Sequence, residues 1–320
     1  MKKIFALNFL FLFITLFLFA QERNFNDFSL KSLQDYPYAA SPITIKKLVF
    51  KNELQYAYNV VYTSMDLTVS ARFSVPAINP RDIKGIIIML RGHQSPRGYY
   101  TGKGTENPAR RYLQNGWAVI APDFFGYGDS SPAPAPWEMH QFFSTINAVE
   151  LYKSLLQPVF RYDSAVVPGD RITLPSNFKK IVLWGHSNGG QAALHFLEII
   201  QQPVSTVLWA PVSLDFPDNV AHFGRRTQWA DDFKENYTAE DFSLSKYLDK
   251  IAPGTAILLE QGTRDTAVPK SWSDDLAAAI NAENNRRRQA GIGIINFRYD
   301  CLPFFMIMRY NVIINSNRKL

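Results

Sequence analysis

Five consecutive residues, Gly185-His186-Ser187-Asn188-Gly189, hold the parts of a covalent catalyst. A serine hydroxyl is a weak nucleophile until its proton is taken. Chemistry at Ser187 therefore needs a base, an acid to orient the base, and donors for the oxygen that turns negative. The flanking residues say what would hold the serine. Ile181 to Trp184 is an apolar run, and an amphipathic stretch from Gln191 to Gln201 comes after it without a gap. The pattern reads as strand, sharp turn, helix. Gly185 and Gly189 suit such a turn because a Cβ at either would meet the neighbouring strand or helix, and Ser187 is expected in a strained conformation with its hydroxyl exposed. Gly-x-Ser-x-Gly alone is a weak pattern, matched by any serine in a glycine-rich turn; the strand before it and the helix after it give it weight.

The elements that would position this turn are read from hydropathy. From Ile43 to Val75 apolar and polar residues alternate in three runs, Thr44–Phe50, Tyr56–Thr63 and Leu67–Val75, separated by turn-like Lys51-Asn52 and Ser64-Met65-Asp66. These predict antiparallel strands with one solvated face. After the Pro76 to Asp82 loop the character changes. Ile86–Leu90, Trp117–Ala121, Ile181–Trp184, Thr206–Ala210, Ala256–Leu259 and Ile292–Phe297 are short apolar runs without alternation, as in strands buried on both faces. Helical stretches lie between most of them: Asn107–Leu113, Gln141–Leu156, Gln191–Gln201 and Ser271–Gln289. The expected class is α/β, a mainly parallel twisted sheet flanked by helices, with antiparallel strands at the N-terminal side. Pro132-Ala-Pro-Ala-Pro136 forms a stiff loop and Leu214 to Ile251 a small helical insertion, either of which could roof a site.

Taken with Ala121-Pro-Asp-Phe-Phe-Gly-Tyr-Gly-Asp-Ser130 and Gln261-Gly-Thr-Arg-Asp-Thr-Ala-Val-Pro269, the serine motif resembles the α/β-hydrolases, closest to prolyl-oligopeptidase-type catalytic domains and related exported esterases. The resemblance runs from about Ile43 to Phe297. It implies that Asp265, after a sheet strand, is the triad acid; the competing reading is an Asp that caps the helix starting near Ser271. It also implies an oxyanion hole at the end of the first long strand, Leu90-Arg91-Gly92-His93. Family members usually carry His-Gly there, and Arg91 stands in place of that histidine. The expected donors are the backbone N–H groups of His93 and Asn188. The His93 ring itself is expected to pack in its loop.

The resemblance further requires a histidine in the loop beyond the last strand. The five histidines are 93, 140, 186, 195 and 222, and none comes after Asp265. His186 would point into the elbow and His195 lies two turns along the next helix. His140, near a helix start, and His222, in the insertion, could approach the site, an arrangement this reading does not favour. The last twenty residues, 301–320, lack both the histidine loop and an amphipathic closing helix. Met306-Ile307-Met308 is ATG-ATN-ATG in codons, and one extra T after Phe305 gives Tyr-Asp-His where the Ile codon is ATC. The expectation is a frameshift near Phe305.

At the other end, Lys2 and Lys3 precede an almost wholly apolar stretch from Ile4 to Ala20, with polar Gln21-Glu-Arg after it. This predicts a signal peptide cut after Ala20, with an uncleaved anchor as the alternative. Cleavage leaves 300 residues with net charge lowered from +6 to +4, enough for one large domain and too mild to demand a nucleic-acid partner. Residues 21–41 then form a leader, 42–300 the hydrolase domain and 301–320 the atypical tail. Cys301 is the single cysteine, which excludes an intrachain disulfide and a cysteine-rich metal site.

The function expected is that of an exported serine hydrolase, cleaving an ester or amide through an acyl-enzyme, with a small-molecule ester or short peptide as substrate. No metal or organic cofactor is implied, nor any membrane contact after cleavage. The alternative is a catalytically silent relative that binds ligands or partners in the same pocket. The absence of a propeller favours small esters over peptides. Trp137, Phe142, Trp229 and Tyr247 are candidate pocket aromatics, each also suited to packing in the core or cap.

Overall fold

A computed structural model describes residues 25–134, 139–223, 235 and 237–303. The predicted signal peptide, Trp137, Trp229 and the chain beyond residue 303 lie outside the described residues.

One ten-stranded sheet runs through the molecule in the order β10-β9-β8-β7-β4-β5-β3-β2-β1-β6. Its antiparallel part is β1 (Ile43–Lys51), β2 (Gln55–Ser64) and β3 (Leu67–Pro76). The parallel part is β4 (Ile86–Leu90), β5 (Ala118–Pro122), β7 (Ile181–His186), β8 (Thr206–Trp209), β9 (Ala256–Gly262) and β10 (Asn296–Leu302). Alternate side chains of a strand point to opposite faces, so the uninterrupted apolar runs bury two layers at once. Ile86, Ile88 and Leu90 enter the large core under α3 (His140–Leu156), α4 (Asn188–Ile200) and α7 (Lys270–Gln289). Ile87 and Met89 enter a second core under α2 (Glu106–Gln114), with Trp117 and Trp184. The architecture is the expected α/β-hydrolase sandwich, with helices on both faces of a mostly parallel sheet.

Three local differences have physical causes. Alternation predicts one solvated face for β3, yet Val69 to Ala71 and Phe73 to Pro76 are all buried, because β3 pairs with β5 at the sheet centre and is covered on both sides. Hydropathy predicts the last strand at Ile292–Phe297, but pairing with β9 begins at Asn296. The preceding residues are the return from α7. The Asn284 side chain takes both backbone groups of Ile295 at 2.8 Å, so that backbone is satisfied without a neighbouring strand. A short strand, β6 (Phe160–Tyr162), adds to the outer edge of β1 in parallel and has no hydropathic signature.

Before β1, α1 (Leu30–Asp35) starts at a Ser29 cap. Phe28, Leu30 and Leu33 are buried in the main core, Phe28 against the rings of Phe142 and Phe143. The described part of the insertion holds α5 (Phe216–Phe223), α6 (Ala239–Phe242) and two 3-10 turns.

Candidate active site

β7 ends at His186, and Ser187 turns directly into α4 with φ 53° and ψ −121°. A side chain in this region is strained, and such strain persists where the surroundings over-determine it. The surroundings are the two glycines and their neighbours. A Cβ on Gly185 would lie 2.3 Å from the Gly189 carbonyl oxygen, and one on Gly189 would lie 2.0 Å from that of Leu90. The Ser187 N–H donates to the Trp209 oxygen (3.0 Å), while its own carbonyl receives Gly190 N–H (2.9 Å) and Val212 N–H (3.3 Å). The elbow is thus tied to β8 and the loop beyond it. Ser187 is only half-buried, with no hydrogen bond on its hydroxyl among the described residues.

The loop after β4 lies against this turn. A Cβ on Gly92 would come within 3.0 Å of both Ser187 Cβ and His186 Nδ1, so only glycine lets the chain pass so close. Gly92, His93, Asn188 and Gly189 line one cavity of about 80 Å³, together with Arg91, Phe124, Tyr127, His140 and Ser144. The two expected donors are therefore brought to one space. Asn188 is the first residue of α4, where an N–H has no intrahelical partner. Neither its N–H nor that of His93 is bonded to another protein group among the described residues. The His93 ring, expected to pack in its loop, is exposed instead.

Asp265 lies in the loop between β9 and α7. Its Oδ1 accepts Ala267 N–H (2.9 Å) and Val268 N–H (3.0 Å), which fixes the carboxylate and leaves Oδ2 without a partner among the described residues. The Asp does not cap the helix: α7 begins at Lys270 after Pro269, with no side-chain cap. Val268 packs with Ala210 and Val212, next to the elbow carbonyl that Val212 N–H holds. Strand β10 ends beside this loop, where Thr263 N–H donates to the Leu302 oxygen (2.9 Å).

The histidines divide by place. His186 packs tilted against Trp209 (4.5 Å between ring centres), and burial pushes its pKa down to about 4 against the pull of nearby Asp265. Fully buried His195 is pushed to about 3 by desolvation. His140, not favoured for the site, lines the cavity; its Nε2 faces the Phe125 carbonyl at 2.9 Å and burial lowers its pKa. A carbonyl only accepts, so Nε2 carries the proton in that bond. His222 sits at the end of α5 with Nε2 3.2 Å from the Ala267 oxygen, on the loop that carries Asp265. Of the candidate pocket aromatics, Phe142 is in the core against Phe216 and Tyr247 is half-buried in the insertion.

Sequence reasoning missed the hub behind the cavity. Asp123, wholly buried after β5, accepts Ser70 Oγ–H (2.6 Å), Tyr99 O–H (2.7 Å) and Gly102 N–H (2.8 Å). Arg91, also buried, donates to the Asp123 carbonyl (2.7 Å), the Gly92 carbonyl (3.0 Å) and the Tyr99 hydroxyl (3.1 Å). The signal available was the Asp123-Phe-Phe-Gly-Tyr-Gly stretch together with an arginine in an apolar context. Nothing in either named the other as its partner.

Comparison with known proteins agrees with this fold. A family model described as the alpha/beta hydrolase fold matches residues 104–209, from α2 through the elbow to β8. No curated protein matches the chain. Among solved structures, acetyl xylan esterase 1 from Thermoanaerobacterium sp. JW/SL YS485 superposes with a TM-score of 0.58 at 16% identity, covering 90% of each chain. The acetyl xylan esterase from Paenibacillus sp. R4 gives 0.55 at 15%, covering 89% of this chain and 90% of that one. Est1E from Butyrivibrio proteoclasticus, bound to ferulic acid, gives 0.51 at 14%, covering 76% and 88%. At such identities the likeness speaks for the fold. The chain has the α/β-hydrolase fold.

Proposed function

We propose that this protein hydrolyses small carboxylic esters outside the cytoplasm, through an acyl-enzyme on Ser187. Ser187 Oγ attacks the ester carbonyl as a base takes its proton. The oxygen that becomes negative meets the N–H groups of His93 and Asn188, the alcohol leaves with a proton, and water repeats the sequence on the acyl-enzyme. The observation that carries the reading is the strained Ser187 turn beside one cavity lined by His93 and Asn188, whose N–H groups have no partner among the described residues. Asp265 is the acid, its Oδ1 fixed and its Oδ2 open to a histidine N–H. The chain leaves the sheet at Leu302, beside Thr263 and two residues from that acid, which is where a base-bearing loop must start.

The cavity lined by Gly92, His93, Asn188 and Gly189 is where the acyl group would sit. The similarity to acetyl xylan esterases supports an ester over a peptide. Export rests on the order of residues 1–20, and the purified native protein is expected to begin at Gln21 by N-terminal sequencing.

The test is labelling with a fluorophosphonate probe. In any form of the protein with a working histidine, adduct on Ser187, absent from Ser187→Ala, is expected; labelling that survives the substitution rejects the nucleophile. One observation favours the second reading, a ligand-binding relative without turnover. Among the described residues no histidine hydrogen-bonds to Ser187 or Asp265. A hydrolase that gains no activity when a histidine is restored to the tail would leave that second reading standing.

A further inference from the structure

We infer that Arg91 is a positioning residue whose guanidinium aims the His93 N–H at the oxyanion; this rests on the reading of Ser187 as nucleophile. Arg91 sits directly after β4 and is 5% exposed. Its three donor nitrogens each have a fixed target. Nη1 reaches the Gly92 carbonyl at 3.0 Å, Nη2 the Asp123 carbonyl at 2.7 Å, and Nε the Tyr99 hydroxyl at 3.1 Å. Three rings enclose the cation: Tyr127 at 4.1 Å, Tyr99 at 4.9 Å and Phe124 at 5.4 Å. Burying a cation is costly, and here the compensating charge arrives indirectly. Tyr99 accepts from Arg91 and donates to Asp123 Oδ1 at 2.7 Å, and burial next to that carboxylate raises the Tyr99 pKa, so the phenol keeps its proton.

The consequence lies in the Gly92–His93 peptide. A trans peptide is planar, with C=O and N–H pointing in opposite directions. Drawing the Gly92 oxygen toward Arg91 turns the His93 N–H the other way. Gly92 is packed against Ser187 Cβ, and His93 lines the cavity beside Asn188. The same guanidinium holds the Asp123 carbonyl, so the loops after β4 and β5 are set to one rigid plane. A lysine offers a single point charge and cannot span three acceptors in fixed directions.

The test uses the full chain, in a form whose tail carries the restored histidine, with Arg91→Lys and Arg91→Met. Rates of Ser187 modification are measured with a fluorophosphonate and with its P=S analogue, whose sulfur accepts hydrogen bonds poorly. Loss of one oxyanion donor typically costs about 10²–10³-fold. In Arg91→Lys the P=O reagent is expected to slow by about 10²-fold and the P=S reagent only a few-fold, so that the wild-type preference for oxygen shrinks. Equal slowing of both would make Arg91 a structural residue and overturn the inference. A crystal structure of Arg91→Lys supplies the second measurement: a rotated Gly92–His93 peptide is expected, and an unchanged peptide plane would overturn the inference as well. Should Arg91→Met fail to fold, Arg91→Lys still carries both measurements. Absence of labelling with Arg91 intact, in a form whose tail carries the restored histidine, would reject the nucleophile reading, while the peptide plane would still decide what Arg91 does.

Discussion

The two sides of Ser187 are built differently. On the oxyanion side, the loops after β4 and β5 are joined by a buried cation, a buried carboxylate, a phenol and a serine hydroxyl, each with its partners. On the acid side, Asp265 is half-exposed, held by two turn N–H groups, and next to the sheet's edge strand. Preorganised donors gain their value from rigidity in a dry setting. A triad acid has a looser task, since it acts through a histidine that must move protons. Under the proposed function the oxyanion donors lie within the described residues, whereas the base for the acid side would come from the chain beyond Leu302.

The largest expected effect breaks or secures that contrast. Shifting the reading frame after Phe305, so that a histidine replaces Met308, should raise p-nitrophenyl acetate turnover by about 10³-fold or more over the 320-residue chain, because loss of a triad member costs several powers of ten. Ser187→Ala should abolish the gain. Equal turnover in the two forms would hand the base to His140, on the cavity wall, or to His222, on the acid loop.

Two carboxylates set the next measurement. Asp123→Ala removes the acceptor of two hydroxyls and an N–H in a fully buried place and leaves the Arg91 cation without its counter-charge. That should cost about 3–5 kcal/mol in urea unfolding. Asp265→Ala opens a turn at a half-exposed site and should cost about 1 kcal/mol. Similar losses would show the acid side to be as tightly built as the other.

Legibility in the sequence divides along the same line. Hydropathy located the parallel strands and their helices because burial on both faces leaves short continuous apolar runs. The elbow was legible because glycine, serine and the strand–helix junction sit within about ten residues. The Arg91–Tyr99–Asp123–Ser70 network was not, since its members come from separate segments and only the fold brings them together. His140 was weighed and not favoured for a similar reason: proximity to the cavity depends on how α3 enters, which no local pattern encodes. The start of β10 was misplaced because Ile292-Gly-Ile-Ile looks like a buried strand, while Asn284 on the preceding helix satisfies the backbone of Ile295.

The smallest effect probes where the two sides meet, at His186. Its ring nitrogen lies near Gly92 on the oxyanion side, and Asp265 on the acid side pulls its pKa upward. Burial wins, holding the pKa at about 4 against an ordinary 6.5, and His195 is held at about 3. Between those values and 6.5 the unfolded chain binds more protons than the folded one. The stability these two groups contribute is full above about pH 6.5 and is lost as pH falls toward 4 and below. Buried Glu198 acts in the opposite sense, since its raised pKa makes the fold bind the extra proton once pH exceeds the ordinary carboxylate value. Replacing Asp265 by Asn keeps the turn's acceptor and removes only the charge. The His186 pKa should then fall below 4, by less than about one unit given the half-exposed partner. Titration of the His186 ring by NMR in both proteins reads it. An unchanged pKa would place Asp265 too far from the elbow to orient a base at Ser187, and a rise would mean that the carboxylate does not face the ring.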